Sequence, residues 1–342
     1  MKKHLNPRKR KDVNVQTDKA EHIAPVASQQ APAFSLTPVA QTKRVNQKKG
    51  DHKADGKTIQ KEDKTNYVSV PEKLGKSQEG PIAVKGKGDD HEFSPNDVRQ
   101  GSLGDCYFLS SLIAVAAQNP NILKNNINEN SDGTYTIKLH KKNVKKGIFW
   151  DTVSFSPWIV TLYPTFPISV DSTDSANPDA KKNPPHAHGG DTNKAGKTEL
   201  WVRLYEKAFA LMIGSYNEVG KGQIAASHVL EVLLGKQFKR VGMGKKWTVK
   251  RKILRMWKKG IPVKAGTGGL VVKNLPDDLK KFARDNSIVG GHAYGVVYAD
   301  KNKIRVRNPW GEVKDGLGAK NPEPEMTWDQ FTKLFTNYTV NV

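Results

Sequence analysis

The stretch that decides the fold is Gln100-Gly-Ser-Leu-Gly-Asp-Cys-Tyr-Phe-Leu109, which contains the only cysteine among 342 residues. Apolar residues then recur three and four positions apart, at Leu109, Leu112, Ile113 and Ala116. This spacing predicts the buried stripe of a helix, and Gly104 and Asp105 form a turn-and-cap signal before it. Cys106 is therefore expected in a first helical turn, where the partial charge of the N-terminus favours a nucleophilic thiolate. A lone cysteine on an apolar face is more often structural, so this stretch needs support from elsewhere.

A second informative stretch begins about 190 residues further on. Residues 290–310 read Gly-Gly-His-Ala-Tyr-Gly-Val-Val-Tyr, then a short polar turn, then Lys-Ile-Arg-Val-Arg-Asn-Pro-Trp. Two runs of β-branched and aromatic residues around a polar turn predict a hairpin. If Tyr298 pairs with Lys303, His292 lies beside Asn308 at the open end. A histidine beside an asparagine forms a base and its orienting group, the partners that a cysteine nucleophile requires.

These motifs closely resemble the active-site blocks of the calpain-type cysteine proteases. Glu199-Leu-Trp-Val-Arg-Leu-Tyr-Glu-Lys-Ala-Phe-Ala210 is similar to the central helix of that family, and Glu325-Met-Thr-Trp-Asp-Gln-Phe331 to the segment that closes its core. The blocks occur in the family's order over about residues 90–342. The resemblance implies an α+β, papain-like core of two subdomains, with a helical cysteine-bearing half over 90–235 and a β-rich half over 236–342.

The resemblance also assigns a role to each motif residue. Cys106 is expected to be the nucleophile, His292 the general base and Asn308 the group that orients the base. Gln100 is expected to donate to an oxyanion hole together with the backbone N–H of Cys106, because the tetrahedral intermediate requires fixed donors around its oxygen. Trp310 is expected to support the site by packing. The implied activity is that of a cysteine endopeptidase acting on protein substrates.

Calcium is the cofactor that the resemblance raises, since each half of the animal calpain core binds one ion through oxygen ligands. In the cysteine-bearing half, the resemblance points to Asp97 and Glu231 as ligands of one weak site. In the other half, Lys314 stands where the family has an acid, and the acidic loop that begins at Asp315 is shortened. A cation is unfavourable in a calcium site. We therefore expect no required cofactor, calcium at one site at most, and an activity that depends on calcium weakly or not at all.

Residues 1–89 differ in composition from the rest and predict a disordered, basic N-terminal tail. They lack tryptophan and apolar periodicity and are rich in Lys, Gln, Asp, Pro and Ser. Such a segment buries too little apolar surface to offset the entropy lost on ordering. The whole chain carries a formal net charge of +22, most of it beyond the tail. This charge favours weak polyanion binding as a secondary property, although no nucleic-acid-binding motif accompanies it.

A second polar break over residues 171–198 predicts a surface loop that ends near the helix beginning at Glu199. It contains His186 and His188, two residues apart among Pro and Gly. Two such histidines without a third ligand are more typical of exposed polar residues than of a metal site, so we predict no metal there.

The sequence also limits the cellular setting. A single cysteine excludes an internal disulfide, and neither an 18-residue apolar run nor a Sec-type signal is present. We expect a cytoplasmic protein, or a bacterial effector delivered into a target cell, with the tail engaging delivery or loading machinery. A plain flexible extension is the alternative for the tail.

Two other classes of function are alternatives to proteolysis. A transglutaminase-like acyl transferase shares the Cys-His pair but lacks the Gln-Gly-x-Leu-Gly-Asp-Cys motif. A polyanion-binding or regulatory protein with a dormant protease fold is the remaining alternative. A dormant enzyme has usually lost one catalytic group, whereas Gln100, Cys106, His292 and Asn308 are all present.

Overall fold

The computed structural model describes residues 70–147, 150–170, 183–222, 226–312 and 318–342. Most of the predicted tail, up to residue 69, lies outside the described residues, as do Lys314 and Asp315 and the first part of the predicted loop, residues 171–182. Within the described ranges, no helix is both long and apolar enough to cross a bilayer.

The first lobe contains a group of helices and an antiparallel sheet. Its helices are α1 (Cys106–Gln118), α2 (Pro120–Asn125), α3 (Trp201–Ile213), α4 (Tyr216–Gly220) and α5 (Ala226–Leu234). Its strands, in the order in which they pair, are β1 (Ile127–Glu129), β2 (Tyr135–Lys145) and β3 (Thr152–Leu162). Aromatic side chains of α1 and α3 fill the core, where Phe108 stacks on Phe209 with ring centroids 4.5 Å apart.

The second lobe is built on a six-stranded sheet in the order β4-β9-β5-β6-β7-β8, with antiparallel neighbours. The strands are β4 (Phe238–Gly242), β5 (Lys264–Gly266), β6 (Ala293–Ala299), β7 (Lys303–Arg307), β8 (Glu325–Thr327) and β9 (Asn337–Asn341). The helices that accompany them are α6 (Lys246–Lys258), α7 (Asp277–Asp285) and α8 (Trp328–Leu334). The mixture of helices and antiparallel sheets confirms the predicted α+β class.

Helix α1 begins at Cys106, as the sequence predicts. The sequence predicts one buried face for this helix, but the helix is buried on all sides. Every residue from Tyr107 to Ala116 is buried. The reason is that α1 lies between the first-lobe core and the second-lobe sheet. Gly295 of β6 lies so close that a Cβ there would be 2.3 Å from Cγ2 of Ile113. A helix that is apolar on all sides is typical of this central position.

The predicted hairpin forms, but its register differs from the prediction. Tyr298 pairs with Arg305 rather than with Lys303, and the register shifts between Val296 and Tyr298. An irregularity of this kind inserts an extra residue into one strand. The turn is closed by Asp300, whose Oδ1 accepts hydrogen bonds from the backbone N–H groups that follow it.

Residues 70–89, which the sequence assigns to the tail, lie against the first lobe. Gly75 N donates to Phe166 O at 2.8 Å, and Leu200 N donates to Pro81 O at 3.0 Å. The packed part of the chain therefore begins at or before residue 70, because this segment replaces water with backbone hydrogen bonds to the lobe.

Candidate active site

Cys106 is the first residue of helix α1 and is half-buried. Its predecessor Asp105 is the N-cap and accepts from Phe108 N at 2.7 Å through its backbone carbonyl. The thiol therefore lies among the N–H groups that open the helix. Their partial positive charge favours the thiolate over the thiol.

His292 and Asn308 lie side by side, as predicted. His292 Nε2 is 2.9 Å from Asn308 Oδ1, and both residues are buried. They immediately precede β6 and follow β7, so they meet beyond the end of the paired strands. This position explains why the contact forms although the register was wrong: side chains outside the ladder tolerate a shift of one pair.

The amide of Asn308 has a fixed orientation. Its Nδ2 donates to Ser287 O at 3.1 Å, and its Oδ1 accepts from Trp310 N at 3.0 Å. The oxygen therefore faces His292, and because an amide oxygen only accepts, Nε2 of the imidazole must donate. In the neutral ring this leaves Nδ1 as the basic nitrogen.

Packing also fixes the position of the imidazole ring. The ring centroid of His292 lies 4.7 Å from that of Trp310 and 4.9 Å from that of Tyr294. Thr267 holds the backbone of His292 by accepting from its N–H and donating to its carbonyl, each at 3.0 Å or less. Trp310 thus packs against the imidazole, and its supporting role stays a prediction.

Gln100 is 1% exposed and lies on the segment that leads to Cys106. Its Nε2 donates to Leu103 O at 2.7 Å, which uses one of the two donors of the amide. Its backbone N–H donates to Pro309 O at 2.8 Å, beside Asn308 in the second lobe. The predicted oxyanion segment and the histidine-asparagine pair are therefore joined by a direct backbone bond.

Comparison with known proteins agrees with these motifs. A profile described as calpain family cysteine protease matches residues 88–333. The chain belongs to the calpain family of cysteine proteases. The two lobes, one carrying the cysteine on a helix and the other carrying the histidine and asparagine on a sheet, fit the papain-like fold of that family.

Three relatives illustrate how far the similarity to calpains extends. The chain is 26% identical over 252 residues to a calpain-type cysteine protease of Arabidopsis thaliana. It is 26% identical over 238 residues to a calpain of Caenorhabditis elegans and over 278 residues to the human calpain-2 catalytic subunit. These alignments cover 69%, 65% and 72% of this chain but 10%, 28% and 35% of the relatives. The chain thus spans about a third of their length or less.

A buried carboxyl pair, which sequence reasoning missed, lies next to the cysteine of this calpain-family core. Glu206 of α3 and Asp105 are fully buried and hydrogen-bonded to each other. Burial raises the pKa of Glu206 to about 7, and Ala187 N donates to both of its carboxyl oxygens at 3.0 Å. The pair fixes the residue before the cysteine against α3. Glu206 was visible only as part of a helical block, because sequence does not reveal which charged side chain is buried.

The structure does not bring the predicted calcium ligands together. Asp97 ends a short 3-10 helix, Pro95–Asp97, and contacts the first residue of α3. Its Oδ2 accepts from Ser94 N at 2.7 Å and from Trp201 Nε1 at 3.0 Å. Glu231 instead bonds Lys142 at 3.0 Å and His228 at 2.9 Å. Although burial opposes it, these hydrogen bonds hold the pKa of Glu231 below its ordinary value. The sequence predicts Glu231 as a ligand from its position after the central helix, but its carboxylate already forms an ion pair with Lys142.

The residues that do surround Asp97 are other acids, and we call them the acidic cluster. They are Asp89, Asp97, Asp191 and Glu199. Oxygen atoms of the three aspartates lie within 4.8 Å of one another. Burial raises the pKa of Asp97 to about 7, and burial together with the charge of Asp97 raises that of Glu199 to about 9. The two carboxyl groups are hydrogen-bonded, so at neutral pH they share a proton.

The two loop histidines are not the exposed residues that the sequence predicts. His186 is buried, its Nδ1 is 2.7 Å from Ala187 O, and its ring packs on Phe166. Burial lowers the pKa of both His186 and His188 to about 4, so both are neutral at neutral pH. The backbone beside them pairs with the segment that leads to Cys106, with His188 N donating to Arg99 O at 2.8 Å. Within the described ranges, neither histidine belongs to a group of three metal-ligating side chains.

Proposed function

We propose that this chain is a cysteine endopeptidase that cleaves proteins through Cys106, His292 and Asn308. The observation that carries the proposal is the 2.9 Å contact between His292 Nε2 and an Asn308 oxygen of fixed orientation. This contact leaves Nδ1 as the ring nitrogen that accepts a proton. The two residues flank β6 and β7, and β6 packs directly on the helix that begins at Cys106.

The proposed reaction follows from these groups. Nδ1 of His292 takes the thiol proton, and the Cys106 thiolate attacks the carbonyl carbon of the scissile peptide. The imidazolium returns its proton to the leaving amine as the C–N bond breaks, which gives an acyl-enzyme. Water, activated by the same imidazole, then hydrolyses the thioester and restores the thiol. Asn308 holds the ring in one tautomer throughout.

The oxyanion of each tetrahedral intermediate is assigned to Gln100 Nε2 and the backbone N–H of Cys106. Gln100 is fixed at both ends, by Leu103 O through its side chain and by Pro309 O through its backbone. Donors held in this way need no reorganisation when negative charge develops, and each is worth about 3 to 4 kcal/mol of barrier.

The acidic cluster fits a divalent cation, and we propose it as the calcium site of the first lobe in place of the pair Asp97 and Glu231. Calcium takes carboxylate oxygens as ligands. In the described part of the chain, the buried Oδ1 of Asp97 meets no donor other than the carboxyl of Glu199. A bound ion would supply positive charge that lets the four acids ionise together. It has no part in the proposed cleavage step.

Weak polyanion binding remains a secondary proposal, and α6 supports it. The exposed face of this helix carries Arg251, Lys252, Arg255 and Lys258, and α6 has no acidic residue. Delivery through residues 1–89 stays a prediction from sequence, because residues 1–69 lie outside the described part of the chain.

The decisive experiment compares purified wild type with Cys106→Ala on denatured casein. We expect cleavage by the wild type, none by Cys106→Ala, and the same thermal unfolding for both. A Ser110→Ala variant of the same helix is the matched control and should remain active. Casein cleavage by Cys106→Ala would end the proposal. Binding of heparin without cleavage by the wild type would favour the dormant fold.

A further inference from the structure

Lys264 is a buried lysine between the two lobes. It lies on β5 in the middle of the six-stranded sheet and is 2% exposed. Its Nζ donates to the backbone carbonyl of Tyr107 and, at 2.9 Å, to Ser111 Oγ. Both acceptors belong to the first two turns of α1, which begins at Cys106. A side chain of the second lobe is therefore anchored in the turns that carry the nucleophile.

The charge of Lys264 has an unusual environment. Both acceptors of its Nζ are neutral, although a buried ammonium ordinarily requires an anionic partner. Burial lowers the pKa of Lys264 to about 7, and among the described residues the one ionisable group that acts on it is Cys106, which raises it. Electrostatic coupling is reciprocal, so an ammonium whose pKa is raised by a thiolate lowers the pKa of that thiol.

In the described part of the chain, the residues that hydrogen-bond to or pair with Lys264 carry no group that titrates near neutral pH. From β9, Thr339 Oγ1 accepts from the backbone N–H of Lys264 at 3.1 Å. From β6, Gly295 is its paired residue. On α1, the hydroxyl of Tyr107 points away and donates to Val219 O, and burial raises its pKa above the ordinary range. The charge state of Lys264 is therefore linked chiefly to that of Cys106.

We propose that Lys264 is a positioning residue that stabilises the Cys106 thiolate and fastens the nucleophile's helix to the sheet that carries His292. The inference rests on the proposed function and deepens it. It adds a cation from the opposite lobe to the favourable effect of the helix N-terminus. It also means that full thiolate stabilisation requires the two lobes to be in contact.

The test measures how the thiolate of Cys106 forms with pH in Lys264→Met. Methionine keeps the length of the side chain and removes the charge. Iodoacetamide modification of the intact folded protein, followed by mass spectrometry from pH 4 to pH 9, gives the midpoint of thiolate formation. An opposite charge nearby shifts a pKa by about 1 to 3 units, so we expect the midpoint to rise by about one unit. Below both midpoints, alkylation and casein cleavage should each become about 10-fold slower, because the thiolate fraction falls by that factor.

The matched control is Lys207→Met. Lys207 is equally buried, and its Nζ also donates to a backbone carbonyl and a hydroxyl, Tyr163 O at 2.9 Å and Thr165 Oγ1 at 2.7 Å. It lies on α3 and no effect of its charge on Cys106 is expected. Its loss should lower stability without moving the alkylation midpoint.

An unchanged midpoint in folded Lys264→Met would overturn the inference and leave Lys264 a structural strut. If circular dichroism shows that Lys264→Met does not fold, Ser111→Ala decides. It removes one hydrogen bond to Nζ and should shift the midpoint in the same direction by less, whereas no shift would again overturn the inference. A wild type that fails to cleave casein would overturn the proposed function, but the midpoint would still report on Lys264.

Discussion

The His292 site and the acidic cluster are both buried and polar, yet they are built in opposite ways. Around His292, donors meet acceptors: the imidazole donates to Asn308, whose amide donates to Ser287 and accepts from Trp310. In the acidic cluster, carboxyl groups face one another, and the raised pKa values of Asp97 and Glu199 record the cost of burying like charges.

The difference shows which region is complete and which needs a further component. Hydrogen-bonded groups of complementary kind hold their geometry without a bound ion, so hydrogen bonds and packing together fix the His292 site. Buried like charges need protons or a cation.

The largest effect is expected from His292→Ala. Removing the base should lower kcat/KM for casein by more than about 10³-fold, because general base catalysis typically contributes 10² to 10⁴. Asn308→Ala should cost less, since the ring keeps its packing on Trp310. The exposed His91 provides the control, His91→Ala. Activity of His292→Ala within tenfold of wild type would contradict the assigned base.

Gln100→Ala should have the next largest effect. We expect kcat to fall by about 10²- to 10³-fold with KM nearly unchanged, because an oxyanion donor acts mainly in the transition state. Steady-state kinetics on a fluorogenic peptide measure both constants, and Gln118→Ala at the end of α1 is the control. A change confined to KM would mean that Gln100 binds substrate instead.

The pH dependence of stability tests the acidic cluster. Because folding raises the pKa of Asp97 and Glu199, the folded state holds more protons, and stability is present in full below pH 4 and lost as pH rises towards 9. Without calcium, we expect the cluster to contribute a loss of at least about 2 kcal/mol between pH 5 and pH 9. Urea unfolding of Cys106→Ala, with and without Glu199→Gln, isolates this contribution, since the other buried groups are shared.

Glu199→Gln should therefore flatten the pH dependence of stability in the Cys106→Ala background. Introduced into the wild type, which keeps the thiol, Glu199→Gln should leave the alkylation midpoint of Cys106 unchanged. If the free energy of unfolding changes with pH equally in the two proteins, Glu199 binds no more protons in the folded state than in the unfolded state. A shifted midpoint would show that the two regions are coupled after all.

Calcium should have the smallest effect on catalysis. At pH 8 it is expected to raise the thermal unfolding temperature, because it neutralises the cluster, while changing casein cleavage by less than about threefold. The reason is that the hydrogen bonds that hold the His292 and Asn308 side chains join them to each other, to Ser287 and to Trp310, which are outside the cluster. Titration of calcium against EGTA measures both effects. Steep, cooperative activation of cleavage would show that alignment of the lobes depends on bound ions.

Much of the fold and of the His292 site could be predicted from sequence. The start of α1 at Cys106 followed from a cap signal and apolar spacing, and the contact of His292 with Asn308 followed from the hairpin. These are short-range patterns, and a hairpin brings its two ends together even when a bulge shifts the register. The roles of these residues in catalysis stay predictions.

The buried charges could not be predicted in the same way. Glu199, Glu206 and Lys264 are charged residues, which sequence patterns place at the surface. Each is buried because a distant segment covers it, and such contacts leave no local signal. For the same reason the sequence predicts Glu231 as a calcium ligand, although Lys142 of β2 forms an ion pair with it.

The segment before residue 85 has a consequence for how this protease core can be shortened. Val84 N donates to Glu199 Oε2 at 2.7 Å. The segment that leads into the core therefore supplies a hydrogen bond to a carboxyl group whose pKa is raised to about 9. Trimming up to residue 69 leaves this bond in place. A cut after Val84 would allow residues 70–84 to separate from the first lobe. Glu199 would then lose a hydrogen bond to its carboxylate, and its pKa would rise further. The presence of residues 70–84 therefore lowers the pKa of Glu199, which lies more than a hundred positions further along the chain.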